Sequence, residues 1–197
     1  MVESERKATV NRETRETRIS VVLDLDGKGD ARIKTPYGFL DHMVGSLAMH
    51  GHLDLSVSAA GDTEVDAHHT VEDLGLALGQ ALYEALGDKE GIARFGQAMV
   101  PMDDSLATAV IDLSGRPYLV YDVHIPERER WEFDVNLVKE FFQALTNEGR
   151  MNLHIILNYG SNYHHACEAL FKAAGRAISQ AVSRDVEGLL STKGTLA

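Results

Sequence analysis

The string His-His-x-x-Glu occurs twice in this chain of 197 residues, at His68/His69/Glu72 and at His164/His165/Glu168, 96 residues apart. One helix upstream, the first half reads LDHMVGSLAMHGHLDLSV and the second LVKEFFQALTNEGRMNLHII. At an offset of 98, Leu47 aligns with Leu145, Leu55 with Leu153, Val57 with Ile155, and His42 with Glu140. A two-residue difference in one loop reconciles the two offsets. The fold is therefore constrained to an internal duplication, with a potential metal ligand at four matched places in each half.

Periodicity fills in the elements. Residues 8–26 read as a strand, with Ile19, Val21 and Leu23 at period two. The Asp26-Gly27-Lys28-Gly29 turn predicts a hairpin to a second strand at Ala31–Thr35. Helical spacing runs over Leu40–His50, alternation over Leu53–Ser58, and a long helix follows from Ala67 to Leu86, capped by Asp66 and closed by Gly87. In the second half, strands are expected at Ser105–Leu113 and Tyr118–His124. A helix at Val135–Leu145, a strand at Asn152–Leu157 and a helix from Asn162 or Tyr163 to about Val182 complete it. The expected architecture is α+β, a two-layer sandwich of duplicated half-domains with a mixed sheet and helices on one face. It forms one domain over residues 1–197, with repeats at about 8–95 and 96–185 and a terminal loop at 186–197.

Composition narrows the functional classes. Net charge is −11 with no basic stripe, which argues against nucleic acid as a partner. The single cysteine, Cys167, excludes an intramolecular disulfide and a thiolate metal cluster. No apolar run reaches the ~18 residues of a membrane span, and the N-terminus has no apolar signal core, so no membrane partner and a cytoplasmic location are expected.

On a helix, adjacent residues diverge by about 100 degrees, whereas i and i+4 share a face. The adjacent histidines thus cannot grip one ion together, and two metals are expected. The candidate ligands are His42, His68, His69, Glu72, Glu140, His164, His165 and Glu168. Divided between two ions they give about four each, leaving the open positions that a catalytic metal needs. Imidazole and carboxylate without thiolate fit manganese, iron, nickel or zinc, and the carboxylate content and room for six-coordination lean towards manganese.

At these residues the chain resembles the imidazoleglycerol-phosphate dehydratase family. The matching segments are FLDHM at 39–43, DAHHTVED at 66–73, MDDSLA at 102–107, DLSGRP at 112–117, NYHHACEA at 162–169 and STKG at 191–194. The resemblance implies a monofunctional dehydratase with two divalent cations per subunit, Mn2+ foremost, held by the eight residues above. Glu140 stands where the family often has His before a Phe-Phe pair. It also implies a substrate-phosphate site at Arg94, Arg116, Ser191 and Lys193, and a contact from Glu16 to a neighbouring subunit's site. The implied fold is the left-handed βαβ class that includes domain 2 of a small-subunit ribosomal protein. The implied assembly is a shell of twenty-four subunits.

The implied reaction, a step of histidine biosynthesis, removes water from imidazoleglycerol phosphate to give imidazoleacetol phosphate. The hydrogen lost is not acidic, so direct elimination is hard. Two cations at the ring nitrogens would favour an imidazolate that expels hydroxide through a diazafulvene. Glu16, Glu72 and Glu168 are the candidate proton carriers. Two rivals remain at this level: another dimetal enzyme acting on a phosphorylated small molecule, and a non-catalytic metal-binding shell protein.

Overall fold

The computed structural model describes residues 5–125, 133–184 and 188–196. Of the expected terminal loop, residues 186, 187 and 197 lie outside the described residues, as does residue 185 at the end of the second repeat.

Each half builds one four-stranded mixed sheet and two helices. The first has β1 (Lys7–Glu13), β2 (Thr17–Asp24), β3 (Ala31–Lys34), α1 (Gly38–His50), β4 (Asp54–Gly61) and α2 (His68–Leu86). The second has β5 (Phe95–Met102), β6 (Ser105–Asp112), β7 (Tyr118–Asp122), α3 (Asn136–Gly149), β8 (Asn152–Tyr159) and α4 (Tyr163–Val182). The sheet orders, β1-β2-β4-β3 and β5-β6-β8-β7, are the same arrangement twice.

Two expected features of the strands are corrected. Residues 8–26 are a hairpin rather than one strand. Thr14 breaks the run: its hydroxyl accepts from the amides of Glu16 (3.1 Å) and Thr17 (2.9 Å), forming a side-chain-stabilised turn. The segment 31–34 is not the hairpin partner of β2, because β4 lies between them and pairs with β3 in parallel. The register of β2 on β4, Val21 opposite Val57 and Leu23 opposite Leu55, puts those buried side chains on the helix side. In the second half an unexpected strand, β5, forms the sheet edge. Its Gly96 and Pro101 weaken the sequence signal, and both are tolerable on an edge.

The helices of the two sheets meet crosswise: α1 lies against α4, and α2 against α3. Glycines set the approach. A Cβ at Gly79 on α2 would lie 2.6 Å from the Leu145 carbonyl oxygen on α3. A Cβ at Gly175 on α4 would lie 2.3 Å from the Leu47 carbonyl oxygen on α1. These are repeat-equivalent contacts, and they bring the first helix of each half onto the second helix of the other.

Candidate metal centre

The crossing of α1 and α4 brings together residues 126 positions apart. His42 Nε2 lies 3.2 Å from Glu168 Oε2, and His164 Nε2 lies 3.3 Å from the same oxygen. The two imidazoles stack with centroids 5.2 Å apart and planes 29° apart. All three ligand atoms fall within 4.8 Å of one another, and among the described residues this is the one group of three with metal-binding geometry. The other oxygen of Glu168 takes an ion pair from Lys172 at 2.6 Å. Burial works against the charged form of Glu168, but Lys172 and His42 outweigh it and hold the carboxyl below its ordinary value. Cys167, beside it in sequence, is fully buried, and burial pushes its thiol up to about 12.

At the start of α2, His68 Nε2 lies 3.6 Å from Glu72 Oε2, the same i,i+4 pairing as His164 with Glu168. Glu140 sits on α3, the helix packed against α2, but among the described residues it is not brought into a group like that around His42. The adjacent histidines diverge as helical geometry requires. The rings of His68 and His69 are 87° apart, and those of His164 and His165 are 89° apart. His69 Nδ1 meets Asp62 Oδ2 at 2.9 Å and Glu16 Oε2 at 3.8 Å. His165 Nδ1 meets Asp104 Oδ1 at 2.7 Å. The Asp62 hydrogen bond is the chief cause that raises the His69 pKa. Asp104 is held far below the usual carboxylate range, first by His165 and then by the amides of Asn162 and Ser161.

Glu16 is delivered by the β1–β2 hairpin, which Asp73 clamps to α2. Its two oxygens take Arg12 Nε, at 2.7 Å, and the Thr17 hydroxyl, from either side of the turn. Glu16, His69 and Glu72 then line one open cleft of about 190 Å³ together with Arg12 and Asp73.

The residues expected to hold phosphate are placed differently. Arg94 grips Asp112 with Nε at 2.7 Å and Nη2 at 3.1 Å, and its Nη1 donates to the Leu190 carbonyl, tying the terminal segment to this arginine. The Ser191 hydroxyl donates to the Thr195 carbonyl at 2.7 Å. The side-chain cations of Arg116 and Lys193 are exposed and make no hydrogen bond or ion pair among the described residues. The structure therefore ties Arg94 to the segment that carries Ser191 and Lys193.

Sequence reasoning missed Asp62, Asp73, Asp104 and Lys172. Two of these carried a signal. Lys172 follows Glu168 by one helical turn, and Asp104 lies 88 residues after Glu16 at the same place in the repeated hairpin, since β2 starts at Thr17 and β6 at Ser105. Asp62 and Asp73 have no acidic counterpart in the other half.

Comparison with known proteins points to one family. Residues 35–178 match the family model described as imidazoleglycerol-phosphate dehydratase. The chain is 55% identical over 193 residues to the imidazoleglycerol-phosphate dehydratase of Geobacter sulfurreducens, covering 97% of this chain and 99% of that one. It is 56% identical over 194 residues to that of Heliobacterium modesticaldum, covering 97% and 100%. Among solved structures, the Staphylococcus aureus enzyme superposes with a TM-score of 0.81 at 36% identity, covering 91% of this chain and 99% of that one. The Pyrococcus furiosus enzyme, solved in complex with (S)-C348, gives 0.83 at 39% identity, covering 94% and 99%.

Proposed function

The chain belongs to the imidazoleglycerol-phosphate dehydratase family, and on that premise we propose that it removes water from imidazoleglycerol phosphate to give imidazoleacetol phosphate, a step of histidine biosynthesis. The observation that carries the reading is the His42–His164–Glu168 group, built across the two halves with its ligand atoms converging. Two imidazoles and one carboxylate suit a divalent first-row cation and leave coordination positions open. Manganese matches the carboxylate share of the whole ligand set.

In this reading His42, His164 and Glu168 hold one ion, and His68, Glu72 and Glu140 hold a second. His69 and His165, turned away from these groups, ligate ions of neighbouring copies in a large homo-oligomer, twenty-four subunits by family likeness. Among the described residues one chain supplies one converged group, which favours completion across subunit boundaries. Divalent ions held by these residues would supply Lewis acidity towards the substrate's imidazole. Arg94, Arg116, Ser191 and Lys193 hold the phosphate, the first two through planar guanidinium forks. Two proton movements remain: the neighbouring carbon loses its proton, and the departing hydroxyl gains one to leave as water. The resulting enol tautomerises to the ketone.

Both oxygens of Glu168 are engaged, by two histidines and Lys172, which suits a fixed ligand more than a proton carrier. Glu16 is exposed on a clamped hairpin, with no hydrogen bond to its carboxylate among the described residues, and it shares a cleft with His69 and Glu72. It is the best placed of the three carboxylates to carry a proton.

The purified protein is expected to turn over imidazoleglycerol phosphate, to lose turnover on exhaustive chelation, and to regain it with Mn2+. Full turnover by protein shown to be metal-free would sink the proposal. Glu140→Ala is expected to lower bound metal from about two ions per chain towards one. Elemental analysis of the assembled protein checks it, and an unchanged content would remove Glu140 from the ligand set.

A further inference from the structure

The two diverging histidines, His69 and His165, each meet a carboxylate on the same ring nitrogen. Asp62 Oδ2 lies 2.9 Å from His69 Nδ1, and Asp104 Oδ1 lies 2.7 Å from His165 Nδ1. An ionised carboxylate only accepts hydrogen bonds, so the nitrogen facing it carries the proton and the other nitrogen keeps its lone pair. We propose that Asp62 and Asp104 are positioning residues that fix His69 and His165 in the Nδ1–H tautomer and present each Nε2 to a divalent cation. This rests on the reading above that the two histidines are ligands.

Three observations support it. First, Asp104 is itself immobilised: its Oδ2 accepts from the Ser161 amide at 2.9 Å, the Ser161 hydroxyl at 2.8 Å and the Asn162 amide at 2.9 Å. The oxygen left for His165 is thus held in place. On the far side of that ring, Asp103 is exposed and its oxygen stands 3.5 Å from Nε2, too distant to bind it firmly. Second, Asp62 is mostly buried and its Oδ1 meets no partner, so among the described residues its side-chain hydrogen bonding is directed at His69 alone.

Third, the two carboxylates reach equivalent histidines from non-equivalent places. Asp104 sits in the β5–β6 turn, where the first half has Glu16. Asp62 sits just after β4, where the second half, 98 residues on, has Gly160. A contact inherited from the duplication would use equivalent residues. Here the same contact is made twice by different routes, as expected if the contact itself is needed. With Asp62 in place, Glu16 stands 3.8 Å from His69 Nδ1 and is released from the orienting role that Asp104 performs in the other half.

The test is titration of chelator-stripped, fully assembled protein with Mn2+, read by calorimetry and by elemental analysis at saturation. Asp62→Ala and Asp104→Ala are expected to weaken Mn2+ binding by roughly 10- to 100-fold with the saturating number of ions unchanged. Asp62→Asn and Asp104→Asn, which retain an accepting oxygen, should lose less. Ser161→Ala removes one of the three bonds to Asp104 Oδ2 and leaves the His165 contact itself intact. It should weaken binding far less than Asp104→Ala, and a loss as large as that of Asp104→Ala would assign the effect to loosening of the turn and overturn the positioning role of Asp104. Asp62 makes no such structural bonds, so its variants test the idea even where Asp104→Ala folds poorly. Alanine variants that bind Mn2+ as tightly as wild type, while His69→Ala and His165→Ala lose ions, would overturn the positioning role alone. A lower saturating number in the aspartate variants would make them ligands and overturn it too. Full ion content in His69→Ala and His165→Ala would instead overturn the ligand reading beneath it.

Discussion

Glu168→Gln is expected to lower turnover of imidazoleglycerol phosphate by about 10^3-fold, equivalent to ~4 kcal/mol of lost transition-state stabilisation. The substitution keeps the shape of the side chain. It removes the charge that draws His42 and His164 together and that pairs with Lys172. Metal content should fall from about two ions per chain to one. The apoprotein should also lose stability, roughly 1–3 kcal/mol, because the mostly buried Lys172 ammonium is left facing a neutral amide. The two effects separate in Glu168→Gln/Lys172→Met, which should recover apoprotein stability without recovering the metal. A Glu168→Gln protein with wild-type turnover and two bound ions would contradict the assignment.

The second large effect belongs to the helix crossing. Gly175→Val is expected to destabilise the chain by about 3 kcal/mol and to lower Tm by roughly 6–12 °C. Even a single Cβ there would stand 2.3 Å from the Leu47 carbonyl oxygen and 3.1 Å from the Gly51 amide nitrogen, both backbone atoms that cannot swing aside. To fit, α1 must move off α4, and His42 moves with it away from His164 and Glu168. Loss of metal should therefore accompany loss of stability. Gly45→Ala, on the same α1 but with nothing within 4 Å of its Cβ, should instead stabilise by up to ~1 kcal/mol through helix propensity. Thermal melts of the three proteins side by side check both signs.

How much of this was legible in the sequence depends on whether the signal is local. The helices were, because Leu40, Met43, Val44 and Leu47 form one buried stripe and Gly87 closes α2 at positive φ. The duplication was, because its two offsets could be read from matched residues. The two-residue difference falls in the loop before α2, which carries Asp62. The pairing of β3 was not: turn chemistry at 26–29 suggests a hairpin, and only the sheet reveals that β4 intervenes. The convergence of His42 with Glu168 left no local signal beyond residue type, since it depends on α1 packing against α4 at Gly175, far from His42 in sequence. Asp62 and Asp104 were invisible as partners because a carboxylate in a turn reads as turn chemistry until the histidine beside it is seen.

The crossed packing bears on how such a chain arose. A half-length ancestor with one such pair of helices could not have closed the three-residue group by itself, because the helix bearing His42 rests on the second helix of the opposite repeat. Two identical half-chains related by a twofold axis could have done so, forming two equal groups at once. Joining two such halves end to end would replace an encounter in solution by a tether, with an effective concentration of one half about the other in roughly the millimolar range. A joined chain also escapes the requirement that its two groups be the same, and this chain has His42 in one repeat and Glu140 in the other.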